Sequence, residues 1–153
     1  MQRVRFSLWI ALVCGLWLAV TSPAFAQGIS GDAKGAWMTE DDKSKVEVGD
    51  CGTPGGTGLC AKIIWLKDPN DAKGRPLTDG NNENASLHKR PILGLPLFEG
   101  MKPKSTGTWT GRIYNPEDGG TFDVTVWLAS ANRLVIKGCV LFVCETHAWT
   151  RAP

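Results

Sequence analysis

The sequence predicts an all-β chain closed into a small antiparallel barrel, and three observations carry that expectation. Apolar residues recur in short alternating runs, as in Phe122, Val124, Val126 and Leu128 set against Asp123, Thr125 and Trp127. Turn residues bound these runs at intervals of roughly 8–12 residues, a spacing that marks a sandwich or barrel, and helical periodicity is scarce. About seven to eight strands with few helices would leave bare sheet edges, and closing the sheet on itself removes them.

The chain opens with a segment that does not belong to the barrel. Arg3 and Arg5 precede an apolar run over residues 8–20, too short to span a bilayer, and Ala24-Phe25-Ala26 before Gln27 forms an Ala-x-Ala cleavage site. Residues 1–26 are therefore expected to be a secretory signal peptide cleaved after Ala26, which removes Cys14. Residues 27–153 are expected to form one domain in the periplasm. Nothing after the signal reads as a membrane span. Of seventeen basic residues the signal holds two and no acidic one, so fifteen basic face fifteen acidic residues in the remainder. A neutral chain without a basic stripe gives no case for nucleic acid.

Four cysteines follow the signal: Cys51, Cys60, Cys139 and Cys144. In an oxidising compartment an even count reads as disulfides. Metal ligation would need spacing tighter than the C-x8-C of the first pair, with histidines at set intervals, and only His88 and His147 are present. The glycine-rich stretch CGTPGGTGLC is no phosphate cradle either, because strand-like Lys62-Ile63-Ile64-Trp65 follows it where a helix N-terminus would be needed. Three pairings remain open. A hairpin through Pro54 and its flanking glycines brings Cys51 to Cys60. Cys139 and Cys144 on a straight strand would stand roughly 16 Å apart, so they pair only if residues 140–143 turn back. The two local bridges, Cys51–Cys60 and Cys139–Cys144, are the favoured pairing, each adding roughly 2–3 kcal/mol through loop closure.

Strands are expected over 35–39, 44–50, 59–66, 108–114, 122–128, 134–136 and 145–151. Asn115-Pro116-Glu117-Asp118-Gly119-Gly120 and Ser130-Ala131-Asn132 are turns by composition. Residues 67–91, with Pro69, Gly74, Pro76, Gly80 and three asparagines, form a loop of unusual length, and such loops are usually functional or disordered.

These residues carry a family likeness. Gly35-Ala36-Trp37, the hairpin over 51–60, the loop over 79–90 running into Gly94, Trp109-x-Gly111-x-Ile113-Tyr114-x-Pro116, and Gly138 through Trp149-Thr150-Arg151 together resemble the DUF2147 family of exported bacterial proteins. Glu83 departs from that pattern, in which proline often follows the asparagine. The resemblance implies a lipocalin-like, up-and-down barrel of about eight strands. It extends to true lipocalins, where an arginine from the end of the barrel crosses the tryptophan of the first strand; Trp37 and Arg151 look like that barrel-closing pair.

Catalytic chemistry finds little footing. No Gly-x-Ser-x-Gly elbow, Cys-x-x-Cys pair or His-Glu-x-x-His motif occurs, and the two histidines lack evident partners. We expect no enzyme, no metal and no cofactor. A barrel of eight strands is just wide enough to be filled by side chains or to hold one small ligand. If it holds a small apolar or amphipathic ligand, the candidate lining is Trp65, Trp109, Tyr114 and Trp127, with Arg112 facing an acidic head group. Strand parity divides this set, because Trp109 faces opposite to Arg112 and Tyr114, and Trp127 opposite to Phe122 and Val124. The rival reading is a side-chain-filled barrel acting as a structural or interaction protein through the 67–91 loop, with Asp79, Asn82, Lys89 and Arg90 as its contacts. Asp79 and Arg90 could equally pin that loop across one barrel end.

Overall fold

The computed structural model describes residues 32–52 and 58–153. The expected signal peptide, residues 1–26, and the centre of the loop between Cys51 and Cys60 lie outside the described residues. Eight strands follow in order: β1 (Gly35–Met38), β2 (Ser44–Asp50), β3 (Leu59–Leu66), β4 (Pro96–Ser105), β5 (Thr108–Tyr114), β6 (Thr121–Ser130), β7 (Arg133–Val140) and β8 (Val143–Arg151). Each pairs antiparallel with the next, and β8 returns to β1 to close an up-and-down barrel. A single 3-10 turn at Ala85–Leu87 interrupts the β3–β4 connection. Among the described residues no helix is long and apolar enough to cross a membrane.

Side-chain alternation sorts each strand into an inner and an outer face. On β6, Val124, Val126 and Leu128 are buried while Asp123 and Thr121 are exposed. Trp37, Val48, Met101, Val126 and Leu134 are almost wholly buried and fill the end of the barrel where the chain enters and leaves. β4 stands where the sequence pattern suggests no strand. Its Pro96, Gly100 and Pro103 argue against a regular ladder, and the pairing does shift register beside Pro103, with Gly100 at φ 75°. The strand survives because Pro96 is its first residue and because Leu97, Phe98 and Met101 are buried in the core.

Both local disulfides form, Cys51–Cys60 and Cys139–Cys144. The second staples the β7–β8 hairpin directly below its two-residue turn, where Cys139 and Cys144 are register partners. Leu141 takes a positive φ of 54° to make that turn. Leu141 and Phe142 are 90% and 100% exposed at its tip.

β1 and β8 meet in only two register pairs, Trp37 with Arg151 and Met38 with Thr150. Arg151 reinforces this short seam. Its guanidinium lies 4.2 Å from the Trp37 ring centroid and donates to the carbonyls of Ala131, Lys34 and Asp32 at 2.8–2.9 Å. Gly35 leaves the room, since a Cβ there would stand 2.9 Å from the guanidinium at a φ of 120°. The indole Nε1 donates to the Ala33 carbonyl at 2.8 Å. The stacked pair contributes roughly 0.5–2 kcal/mol, and charged hydrogen bonds add to it. Arg151→Ala should lower the melting temperature by roughly 5–10 °C, and Arg151→Lys should lose most of that as well, because an ammonium cannot reach three carbonyls while stacking on the ring. Thermal unfolding followed by circular dichroism checks both; a lysine variant as stable as the parent would contradict this account of the seam.

Candidate functional site

The other end of the barrel is hollow. A cavity of about 730 Å³ runs inward from the turns joining β1 to β2 and β5 to β6. Its wall is apolar: Val46, Ile63, Leu97, Ile113, Phe122, Val124 and Ile136, with Trp149 from β8. These side chains come from successive inner-face positions, as β6 (Phe122, Val124) and β7 (Ile136, opposite His147) illustrate. Gly138, facing Val124 across the β6–β7 ladder, supplies no side chain of its own to that wall.

The rim has a different chemistry. Glu40 and Asp41 from the β1–β2 turn, Glu117 and Asp118 from the β5–β6 turn, and Glu145 and His147 from β8 all line the opening. Glu145 and His147 share the inner face with Trp149 because they precede it by four and two residues on one strand. His147 stands between two carboxylates: Nδ1 is 3.1 Å from Glu40 Oε2 and Nε2 is 3.7 Å from Glu145 Oε2. Lys43 reaches Asp41 at 3.1 Å and Glu117 at 4.0 Å, joining the two turns. Partial burial pushes the Asp41 carboxyl up, but the Thr39 hydroxyl and Lys43 outweigh it and bring it below the ordinary value. Among the described residues no group of three or more histidine, cysteine or acidic side chains is arranged to hold a metal ion.

The five ligand candidates read from sequence lie elsewhere. Trp65 is on the outer face, 39% exposed and with Lys45 Nζ 5.6 Å from its ring. A register shift between Lys45 and Val46 places it there, since Val46 pairs with Ile63 while Lys45 pairs with Trp65. Trp109 opposes inner-face Val126 and packs on the core, but it does not line the cavity. Arg112 lies in an outer groove with Glu99, Lys102, Asp123 and Lys137. Trp127 is half-buried on the outer face beside its register partner Val135. The sequence offered a signal for what was missed: His147 and Glu145 share parity with Trp149, and a polar pair on an apolar face is informative.

Tyr114 belongs to a second constellation. Its hydroxyl donates to Asp79 Oδ1 at 2.6 Å, Asn82 Nδ2 donates to Asp79 Oδ2 at 3.0 Å, and Arg90 pairs with Oδ2 through Nε at 2.8 Å and a second nitrogen at 2.7 Å. The Arg90 guanidinium also lies 5.4 Å from the Tyr114 ring centroid. Asp79 is fully buried. This network ties the β3–β4 loop to β5, and the backbone of Asn81 packs against Gly119, where any Cβ would collide with its carbonyl. Of the four loop candidates, Asp79, Asn82 and Arg90 are thus engaged within the molecule, and Lys89 is exposed.

The family model described as "Uncharacterized protein conserved in bacteria (DUF2147)" matches residues 35–151. The chain belongs to this family. Among solved structures, this DUF2147 barrel is similar to protein HP1028 from Helicobacter pylori, described as belonging to the lipocalin family. The TM-score is 0.66 at 23% identity, covering 81% of this chain and 85% of that one. No curated protein matches the chain.

Burial would raise the Asp79 carboxyl, but the donors from Tyr114, Arg90 and Asn82 outweigh it and hold it below the ordinary carboxylate value. A depressed folded-state pKa stabilises the fold above the unfolded value, and that stability is lost as pH falls through the folded one. Removing Arg90 leaves a buried carboxylate poorly compensated, so Arg90→Ala should cost roughly 3–5 kcal/mol at neutral pH. The gap in melting temperature between parent and variant should narrow as the buffer is taken below the ordinary carboxylate range, because protonated Asp79 gains little from a guanidinium. Melts across acidic and neutral buffers test this, and a pH-independent gap would count against it.

Proposed function

We propose that this DUF2147 protein is exported, loses its signal after Ala26, and in the periplasm holds a small apolar or amphipathic ligand inside its barrel without catalysing a reaction. The carrying observation is the cavity: about 730 Å³ with an apolar wall and a polar opening. Ligand sites commonly occupy roughly 300–1,000 Å³ and combine an apolar lining with few orienting polar groups. Closing eight strands leaves room for one such molecule only if the interior is not filled, and here Trp37, Met101 and Leu134 fill the opposite end. The two disulfides agree with an oxidising compartment. The rival reading, action through the 67–91 loop, loses support because Asp79, Asn82 and Arg90 are turned to internal contacts.

The environment-sensitive dye N-phenyl-1-naphthylamine should bind with a saturable fluorescence rise at one site per chain. Val124→Trp and Ile136→Trp each place an indole in the cavity and should weaken that binding at least tenfold while the barrel still unfolds cooperatively. Absence of saturable binding to the parent chain would remove the basis for a ligand-holding barrel. Export is checked separately by the intact mass of protein recovered from a periplasmic fraction, which should correspond to a chain beginning at Gln27.

A further inference from the structure

The cavity's two ends differ in kind, and the difference specifies what enters. The wall offers no lysine or arginine: the residues lining the cavity include the carboxylates Glu40, Asp41, Glu117, Asp118 and Glu145, together with the imidazole of His147. They come from three separate elements around the opening: the β1–β2 turn, the β5–β6 turn and β8. Lys43 is the cation paired there, and it is shared between Asp41 and Glu117. Glu145 and Glu40 therefore face the opening with only His147 between them, and their side chains are 79% and 56% exposed. A ligand seated on Trp149, Ile136 and Phe122 would carry its outer end to this rim.

Resting on the reading of the cavity as a ligand site, we infer that the ligand is a cationic amphiphile: an apolar body lodged in the barrel with an ammonium or comparable positive group at the rim, held by Glu40 and Glu145. A carboxylate head group is disfavoured at this opening. Like charges gathered around the opening repel an anion and attract a cation, and charge-assisted hydrogen bonds to an ammonium strengthen that preference. Arg112, the residue that could have faced an acidic head group, stands on the outside of the barrel. The neutral net charge of the chain after residue 26 hides this polarity, because the acidic groups cluster at one end of the molecule.

Three probes of equal chain length separate head-group preference from apolar fit: decylamine, decanol and decanoate, each titrated against the full folded chain in competition with N-phenyl-1-naphthylamine at neutral pH and low ionic strength. Decylamine should displace the dye at least tenfold more tightly than decanol, and decanoate should be weakest. The amine's advantage should shrink as salt is added. The double variant Glu40→Gln, Glu145→Gln should bring decylamine to within a few-fold of decanol and leave decanol unchanged. Equal binding of all three, tightest binding by decanoate, or an amine preference untouched by the double variant overturns the cationic-ligand inference while the cavity reading stands. Failure of the dye and all three probes to bind overturns the cavity reading, and the inference with it.

Discussion

Closure of the barrel depends on Arg151 against Trp37. Seven of the eight strand junctions are hairpins or loop-linked neighbours, so chain connectivity helps to hold them together. The β1–β8 junction joins strands from the two ends of the domain and has only two register pairs. Without its reinforcement the sheet would present two free edges, which are sites of association as well as instability. Arg151 meets this need in several ways at once: it stacks on the indole of the facing strand, donates to two carbonyls upstream of β1, and donates to Ala131 in the β6–β7 turn. A guanidinium is suited to this because its donors lie in a plane that can stack while they bond sideways.

That seam lies at the end where Trp37, Met101, Leu134 and Val126 are packed, and the arrangement frees the other end from filling. A hollow interior leaves apolar wall residues short of contacts they would otherwise make. Stabilising interactions must then lie around the hollow. The Cys51–Cys60 bridge holds β2 to β3 at the filled end, and Cys139–Cys144 holds β7 to β8 at the open end. The Asp79 network fixes the long β3–β4 loop against β5 beside the opening. Among the described residues no buried side-chain polar atom lacks a hydrogen-bond partner, so even the buried carboxylate of that network is fully compensated.

The all-β class, the closed barrel, the long loop and both local cysteine pairs could be read from the sequence because each leaves a local mark: period-two alternation, turn residues, an even cysteine count. β4 could not, since Pro96, Gly100 and Pro103 erase alternation even though Leu97, Phe98 and Met101 reach the core. The site was harder to read for a related reason. Aromatic bulk drew attention to Trp65, Trp109 and Trp127, whereas location in a barrel is decided by parity, and parity is reset at every bulge. One register shift beside Lys45 is enough to put Trp65 outside. Tyr114 has the outward parity that its spacing from Trp109 requires, and its role came from a partner on a loop thirty-five residues away in sequence, which no local pattern encodes. Parity holds where the strand is regular, as on β6, whose inner row ends in Phe122 and Val124 at the cavity wall.

β8 shows how one strand can serve both halves of the molecule. Arg151 closes the seam, Trp149 forms part of the cavity wall, and His147 and Glu145 reach the rim, so four successive inner-face positions pass from structural to exposed in a single run. The polar residues are tolerated on the inner face because they sit beyond the level at which the barrel is filled, where water still reaches them. The same pair at the Trp37 level would bury charge with no partner, at a cost of several kcal/mol per ion. On β8 the step from Trp149 to His147 therefore marks where the apolar wall gives way to the charged rim.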